Sequence, residues 1–172
     1  MKQHPPQPLM PEGMSADDIN QLAALAKLKT NEVLTKIPLL GPIAWLMIQQ
    51  PATRHTLLSE LEWRIMPALA LNQVKLYMRD NTPIAFASWA KLSDSVAKRY
   101  MSQPHQLSPS DWNSGEQVWL VDLFTPYGGA QETLTDLRTQ VHPNVAIHQL
   151  VPNEQGHAKM ISWPADVGGS KR

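Results

Sequence analysis

The chain has 172 residues, enough for one domain with a buried core, and its 15 basic and 15 acidic side chains cancel, which excludes a global field toward nucleic acid or a membrane surface. It contains no cysteine, which excludes disulfides, thiolate nucleophiles and Cys-based metal sites and fits a reducing cytosol. The N-terminus carries no apolar signal core and no apolar run reaches membrane-spanning length, so the expected protein is soluble and cytoplasmic, with no membrane span.

Residues 1–14, rich in Pro and Gln, are expected to be disordered, residues 15–164 to form the domain, and residues 165–172 to be a loose tail. Ser15 opens a capping box with Asp18, and Ile19, Leu22, Leu25, Ala26 and Leu28 recur at helical spacing, which predicts an amphipathic helix ending near Lys29. Gly41-Pro42 starts a second helix, IAWLMIQQ, stopped by Pro51. A third is predicted through SELEWRIMPALALNQ, with Leu57, Leu61, Ile65 and Leu69 as its stripe and a kink at Pro67. Two alternating strands follow, Gln73–Asp80 and Pro83–Ala90, joined as a hairpin through Asp80-Asn81-Thr82. Ser93 caps a short helix, DSVAKRYMSQ, ended by Pro104, and residues 107–115 read as a loop.

Glu116–Gly129, EQVWLVDLFTPYGG, predicts a central strand running into a glycine turn. Period two places Val118, Leu120 and Phe124 on one face and Trp119, Val121 and Leu123 on the other, so both faces are covered. Asp122 then shares a face with Leu120 and Phe124, where an unpaired carboxylate is costly. Such an acid is either structural, paired with a buried donor, or catalytic. A helix, AQETLTDLRTQV, ends at His142-Pro143, and two last strands, Val145–Val151 and Ala158–Trp163, flank a turn at Asn153–Gly156. The order predicts an α+β, or mixed α/β, domain around one sheet. The six histidines show no metal-ligand spacing, so no metal is expected, and no Gly-x-Ser-x-Gly elbow occurs.

Three segments, read together, resemble the toxin-activating lysine acyltransferases, which fatty-acylate protoxins of the RTX haemolysin and cytolysin type. They are LGPIAWLM (Leu40–Met47), MPALALNQVKLYMRDNTPIAFASWAKLS (Met66–Ser93) and DWNSGEQVWLVDLFTPYGG (Asp111–Gly129). The resemblance spans about residues 40–130 in the family's order. It implies a fold similar to GCN5-type N-acetyltransferases, a mostly antiparallel central sheet flanked by helices. It also implies no bound cofactor, an acyl donor held as a thioester on acyl carrier protein, and an acceptor lysine in a protoxin or bacteriocin-like partner. A homodimer stays open.

By the same resemblance the catalytic aspartate falls on Asp122. The family's histidine follows the Trp-Leu helix, typically as Ser-Pro-x-His-Arg, whereas this chain has Gln50-Pro51-Ala52-Thr53-Arg54-His55. Register from Trp45, Pro51 and Arg54 puts Thr53 on the histidine position. His55 lies two residues on, about 200° away around a helix. His55 is nonetheless the candidate base for Asp122, because an imidazole titrates near neutrality and a carboxylate can orient it. Thr53 has a plainer reading as a helix N-cap after Pro51. Arg54 is a candidate for holding a carboxylate or phosphate of the carrier protein, and Ser88 and Trp89 for lining the cleft, with Trp89 alternatively plain core. Gly128-Gly129 offer either backbone amides to an anion or a tight strand-to-helix turn. Two readings result: an active acyltransferase, or a homologue without catalysis that binds or chaperones a partner polypeptide.

Overall fold

The computed structural model describes residues 15–102, 107–152 and 157–165. The expected disordered N-terminus, the loose tail beyond residue 165 and the turn at 153–156 lie outside them. The chain divides into two units, residues 1–35 and 36–172. The first holds helix α1, Ala16–Leu34. It starts directly after Ser15, as the capping pattern predicts, but runs past Lys29 because no glycine or proline intervenes before Pro38.

The second unit is built on one sheet in the order β1-β2-β3-β4-β5, comprising Val74–Arg79, Thr82–Leu92, Gln117–Phe124, Ile147–Pro152 and Ala158–Trp163. All neighbours are antiparallel except β3 and β4, which gives the expected α+β class with β3 central. The β1–β2 hairpin turns through Asp80 and Asn81, whose φ values of 46° and 66° are those a two-residue primed turn demands.

Helices α2 (Leu40–Gln49), α3 (Leu61–Arg64), α4 (Met66–Ala70) and α5 (Asp94–Ser102) supply one set of cores, in which Leu46, Ile65 and Leu69 meet Phe86 and Phe124. Helix α6 (Ala130–Asp136) and its π-helical extension, Leu137–Val141, supply the other, in which Leu134 and Leu137 meet Trp89 and Leu120. The single third helix expected from the Leu57–Leu69 stripe is in fact a 3₁₀ turn, Leu58–Glu60, followed by α3 and α4. The break comes at Ile65 rather than at Pro67, because Pro67 sits in the first turn of α4, where its missing N–H costs nothing. Leu57, extended ahead of the 3₁₀ turn, drops out of the stripe and is exposed.

Strand β3 corrects the period-two reading of its faces. Ser88 pairs with Asp122, but the next residue of β2, Trp89, pairs with Leu120, so Val121 is an extra residue bulged out of the ladder. Beyond the bulge the alternation is reversed. Leu120 packs with Val118 in the α6-side core, whereas Phe124 stacks on Phe86 in the α2-side core with ring centroids 5.4 Å apart. Asp122 therefore does not share a face with Leu120.

The loop before β3 is held by its own polar residues. Asp111 accepts the Ser108 N–H at 2.8 Å and pairs with Arg99, and the Ser114 hydroxyl accepts the Ser93 N–H at 3.1 Å. At Gly115 a Cβ would come within 2.5 Å of the Ser93 backbone, so only glycine lets the loop lie this close to the end of β2. As predicted, Ser93 caps α5, its hydroxyl accepting the Val96 N–H at 3.4 Å.

Candidate active site

Strands β3 and β4 pair only across Val118, Trp119 and Leu120. Past that point they part, and a pocket of about 380 Å³ opens between Val121 and Asp122 on one side and Leu150, Val151 and Pro152 on the other. Trp63, Arg64, Tyr100 and Trp112 complete much of its wall. Apolar residues outnumber polar ones in the lining, yet polar and apolar atoms share its surface about equally, with the side chains of Arg64, Tyr100 and Asp122 among the polar groups.

The bulge at Val121 delivers Asp122 to this pocket, and α3 delivers Arg64 opposite it. Arg64 Nε donates to Asp122 Oδ1 at 2.9 Å, and Nη2 donates to the same oxygen. The Ser88 hydroxyl, on the paired position of β2, donates to Oδ2 at 3.4 Å. The Arg64 guanidinium also lies 5.7 Å from the centre of the Phe124 ring. Burial pushes the Asp122 carboxyl above the ordinary carboxylate range, and the Arg64 and Ser88 bonds draw it only part of the way back. Tyr100, in the same wall, is pushed up to about 12 by burial and then by the negative charge of Asp122. Trp112 Nε1 is a buried donor without an acceptor among the described residues.

Of the residues singled out in the sequence, Asp122 and Ser88 are brought together. Trp89 is buried in the α6-side core, edge-on to His142 with centroids 4.8 Å apart, and is not part of the pocket lining. Thr53 is buried, and its hydroxyl donates to the Met47 carbonyl at 2.9 Å, closing the C-terminal end of α2. No helix starts there, so the expected N-cap is a C-terminal cap instead. Arg54 and His55 are exposed. Their loop reaches the pocket only through Ala52, and the hydrogen-bond partners of Asp122 are Arg64 and Ser88.

Arg64 is the member that sequence reading missed. It had a signal: a cation three residues from Leu61, beside the apolar stripe, in a chain with one acid destined for burial. Gly128 and Gly129 both have positive φ, 88° and 83°, and make the tight strand-to-helix turn into α6. Around them lies a second pocket, about 490 Å³, with Tyr77, Arg79, Tyr127, Glu132 and Asp136 in its lining. Among the described residues no group of His, Asp and Glu is placed to hold a metal ion, and no helix is long and apolar enough to cross a membrane.

Residues 32–163 match the model of the RTX toxin acyltransferase family. The chain is 41% identical over 90 residues to the leukotoxin-activating lysine-acyltransferase of Aggregatibacter actinomycetemcomitans, covering 52% of this chain and 54% of that protein. It is 31% identical over 123 residues to the RTX-II toxin-activating lysine-acyltransferase of Actinobacillus pleuropneumoniae, covering 71% and 77%. It is 35% identical over 92 residues to a protein-lysine myristoyltransferase of Escherichia coli, covering 54% and 53%. The chain thus spans only about half the length of two of these three relatives. The family match takes in α2 to β5, including the whole β3–β4 pocket, and the chain belongs to the RTX toxin acyltransferase family.

Proposed function

We propose that this chain is a protein-lysine acyltransferase that moves a fatty acyl group from a thioester on acyl carrier protein to internal lysines of an RTX protoxin or bacteriocin-like partner, with Asp122 at the reacting centre. The observation that carries this reading is the buried carboxylate of Asp122, set in the wall of a pocket of mixed polar and apolar surface between two parting parallel strands. Leu107, Leu150 and Val151 give that pocket the walls an acyl chain needs, since hydrocarbon is stabilised by about 25 cal/mol for each Å² removed from water. The likeness to GCN5-type N-acetyltransferases belongs to the same proposal, as does the cytoplasm as its place of work.

Acyl transfer to lysine requires that the ammonium, with a reference pKa of about 10.4, lose a proton before its nitrogen can attack. It also requires that charge developing on the carbonyl oxygen be stabilised by donors already in place. Asp122 answers the first need, and the indole N–H of Trp112 lies in the same wall for the second.

A second reading has one observation in its favour. By the resemblance, Thr53 falls on the position of the family's histidine, and its hydroxyl is engaged by α2, which suits a homologue that binds a partner without acylating it. Incubating the purified protein with myristoylated acyl carrier protein and an RTX protoxin, and weighing the protoxin intact, separates the two. A fatty-acyl mass gain that is lost in Asp122→Ala supports the enzyme. A stable complex without mass gain supports the binding protein, and neither outcome with any protoxin overturns both.

A further inference from the structure

We propose that Asp122 itself takes the proton from the acceptor lysine, through Oδ2, and that Arg64 is the positioning residue that fixes the carboxylate for this step. The inference rests on the acyltransferase reading and names the proton acceptor within it. Its basis is an asymmetry in the carboxylate. Both Arg64 donors, Nε at 2.9 Å and Nη2, converge on Oδ1. Among the described residues Oδ2 receives only the Ser88 hydroxyl, at 3.4 Å, the long limit of a hydrogen bond. An ionised carboxylate has about four acceptor sites, so the oxygen on the Ser88 side keeps capacity for a further proton.

Among the described residues no imidazole lines this pocket. His55 is exposed, His142 packs against Trp89 in the α6-side core, and His148 lies against Trp119, its centroid 5.2 Å away. Thr53 donates its proton to the Met47 carbonyl. The titratable groups coupled to Asp122 among the described residues are Arg64 from α3 and Tyr100 from α5, with Glu60 acting in turn on Arg64. From β4 and β5 come Leu150, Val151, Pro152 and Ala158, which do not titrate. Among the described residues of the wall, the carboxylate is thus the group placed to accept a proton from the acceptor lysine. Burial raises its affinity for that proton, and the Arg64 bonds act in the opposite direction, favouring the ionised form.

The step balances without a co-reactant. The lysine ammonium gives one proton to Oδ2, and its freed electron pair forms a C–N bond at the thioester carbonyl. Collapse of the tetrahedral intermediate breaks the C–S bond, the second nitrogen proton goes to the departing thiolate, and Asp122 returns its proton to solvent. The products are an amide, a free thiol and one proton.

The test is the pH dependence of kcat/KM with myristoylated acyl carrier protein and an RTX protoxin, for wild type, Asp122→Asn, Arg64→Gln, Arg64→Lys and His55→Ala, with thermal melts of each. Asp122→Asn is expected to lower kcat by about 10²–10⁴-fold, the usual contribution of a general base, while the KM for the acyl donor holds. Removing the Arg64 charge raises the carboxyl's pKa, so Arg64→Gln is expected to move the acidic limb of the profile to higher pH. Arg64→Lys, which keeps the charge and loses the fork, holds the limb and lowers kcat, and it carries the test if Arg64→Gln does not fold. A limb unmoved in Arg64→Gln, full activity in Asp122→Asn, or a loss beyond tenfold in His55→Ala overturns the proposal while leaving the acyltransferase reading intact. An inactive wild type overturns both.

Discussion

Two carboxylates sit beside strands of the same sheet with matching partners and opposite behaviour. Asp122 has Arg64 and Ser88, and Asp136 has Lys75 and the Tyr77 hydroxyl, at 2.5 and 2.7 Å. Each is one acid with one cation and one hydroxyl. The Asp122 side chain is 2% exposed and the Asp136 side chain 31%. Burial acts upward on both carboxyls. At Asp136 the bonds from Lys75 and Tyr77 prevail and hold the carboxyl below its usual range, whereas at Asp122 burial prevails and lifts it. Depth, rather than the kind of partner, separates a carboxylate held below its usual range from one held above it.

The sharpest way to break this comparison is to remove the cation from the buried pair. Arg64→Ala leaves an uncompensated carboxylate at 3% residue exposure. Losing one partner of a buried pair typically costs about 3–5 kcal/mol. The arginine stem also leaves the face of Phe124. Urea unfolding at neutral pH is expected to show a loss in that range, and a loss below 1 kcal/mol would mean that water reaches Asp122 freely.

How much of this was legible beforehand depended on whether the information was local. The Asp80-Asn81 hairpin, the Ser93 cap and the glycine turn after β3 are each fixed by a few adjacent residues, and each was readable. Asp122 stood out because an acid in an apolar strand demands a partner. Its partner was hidden because Arg64 lies 58 positions away, in a stretch whose i, i+4 stripe reads as one unbroken helix. The bulge at Val121 was equally hidden. Nothing in LVDLF disturbs the alternation, and only the pairing against Ser88 and Trp89 shows the extra residue. Thr53 misled for a related reason: a threonine after a proline suggests the start of a helix, while its hydroxyl in fact closes the preceding one.

A smaller effect opposes the two acids through pH. The Asp122 carboxyl is raised in the folded state, so the fold binds its proton more tightly than the unfolded chain does, and stability from this group is lost as pH rises through its folded pKa. The Asp136 carboxyl is lowered, so its contribution is present above the unfolded value of about 3.9 and is lost as pH falls through the folded one. Thermal melts of Asp122→Asn and Asp136→Asn against wild type should therefore diverge in opposite senses. Asp122→Asn gains on wild type as pH rises from 4 upward, and Asp136→Asn closes its deficit as pH drops below about 4. Curves that run in the same sense would show that the two sites do not differ in kind.

The smallest effect is expected from Lys75→Ala, and it is the control that gives the first comparison its meaning. Lys75 and Asp136 are 35% and 31% exposed, so solvent screens their attraction and the lysine loses rotamer freedom in making the bond. Exposed pairs of this kind contribute about 0.2–1 kcal/mol, less in high salt. Removing Lys75 does not strand Asp136, because the Tyr77 hydroxyl still donates to it at 2.7 Å. What is also lost is the ammonium 5.0 Å from the Tyr77 ring, a contact worth roughly 0.5–1 kcal/mol at an exposed site. Lys75→Ala should thus cost at most about 2 kcal/mol by urea unfolding, and less in 1 M salt. A salt-insensitive loss as large as that of Arg64→Ala would place Asp136 in the same class as Asp122 and remove burial as the property that distinguishes them.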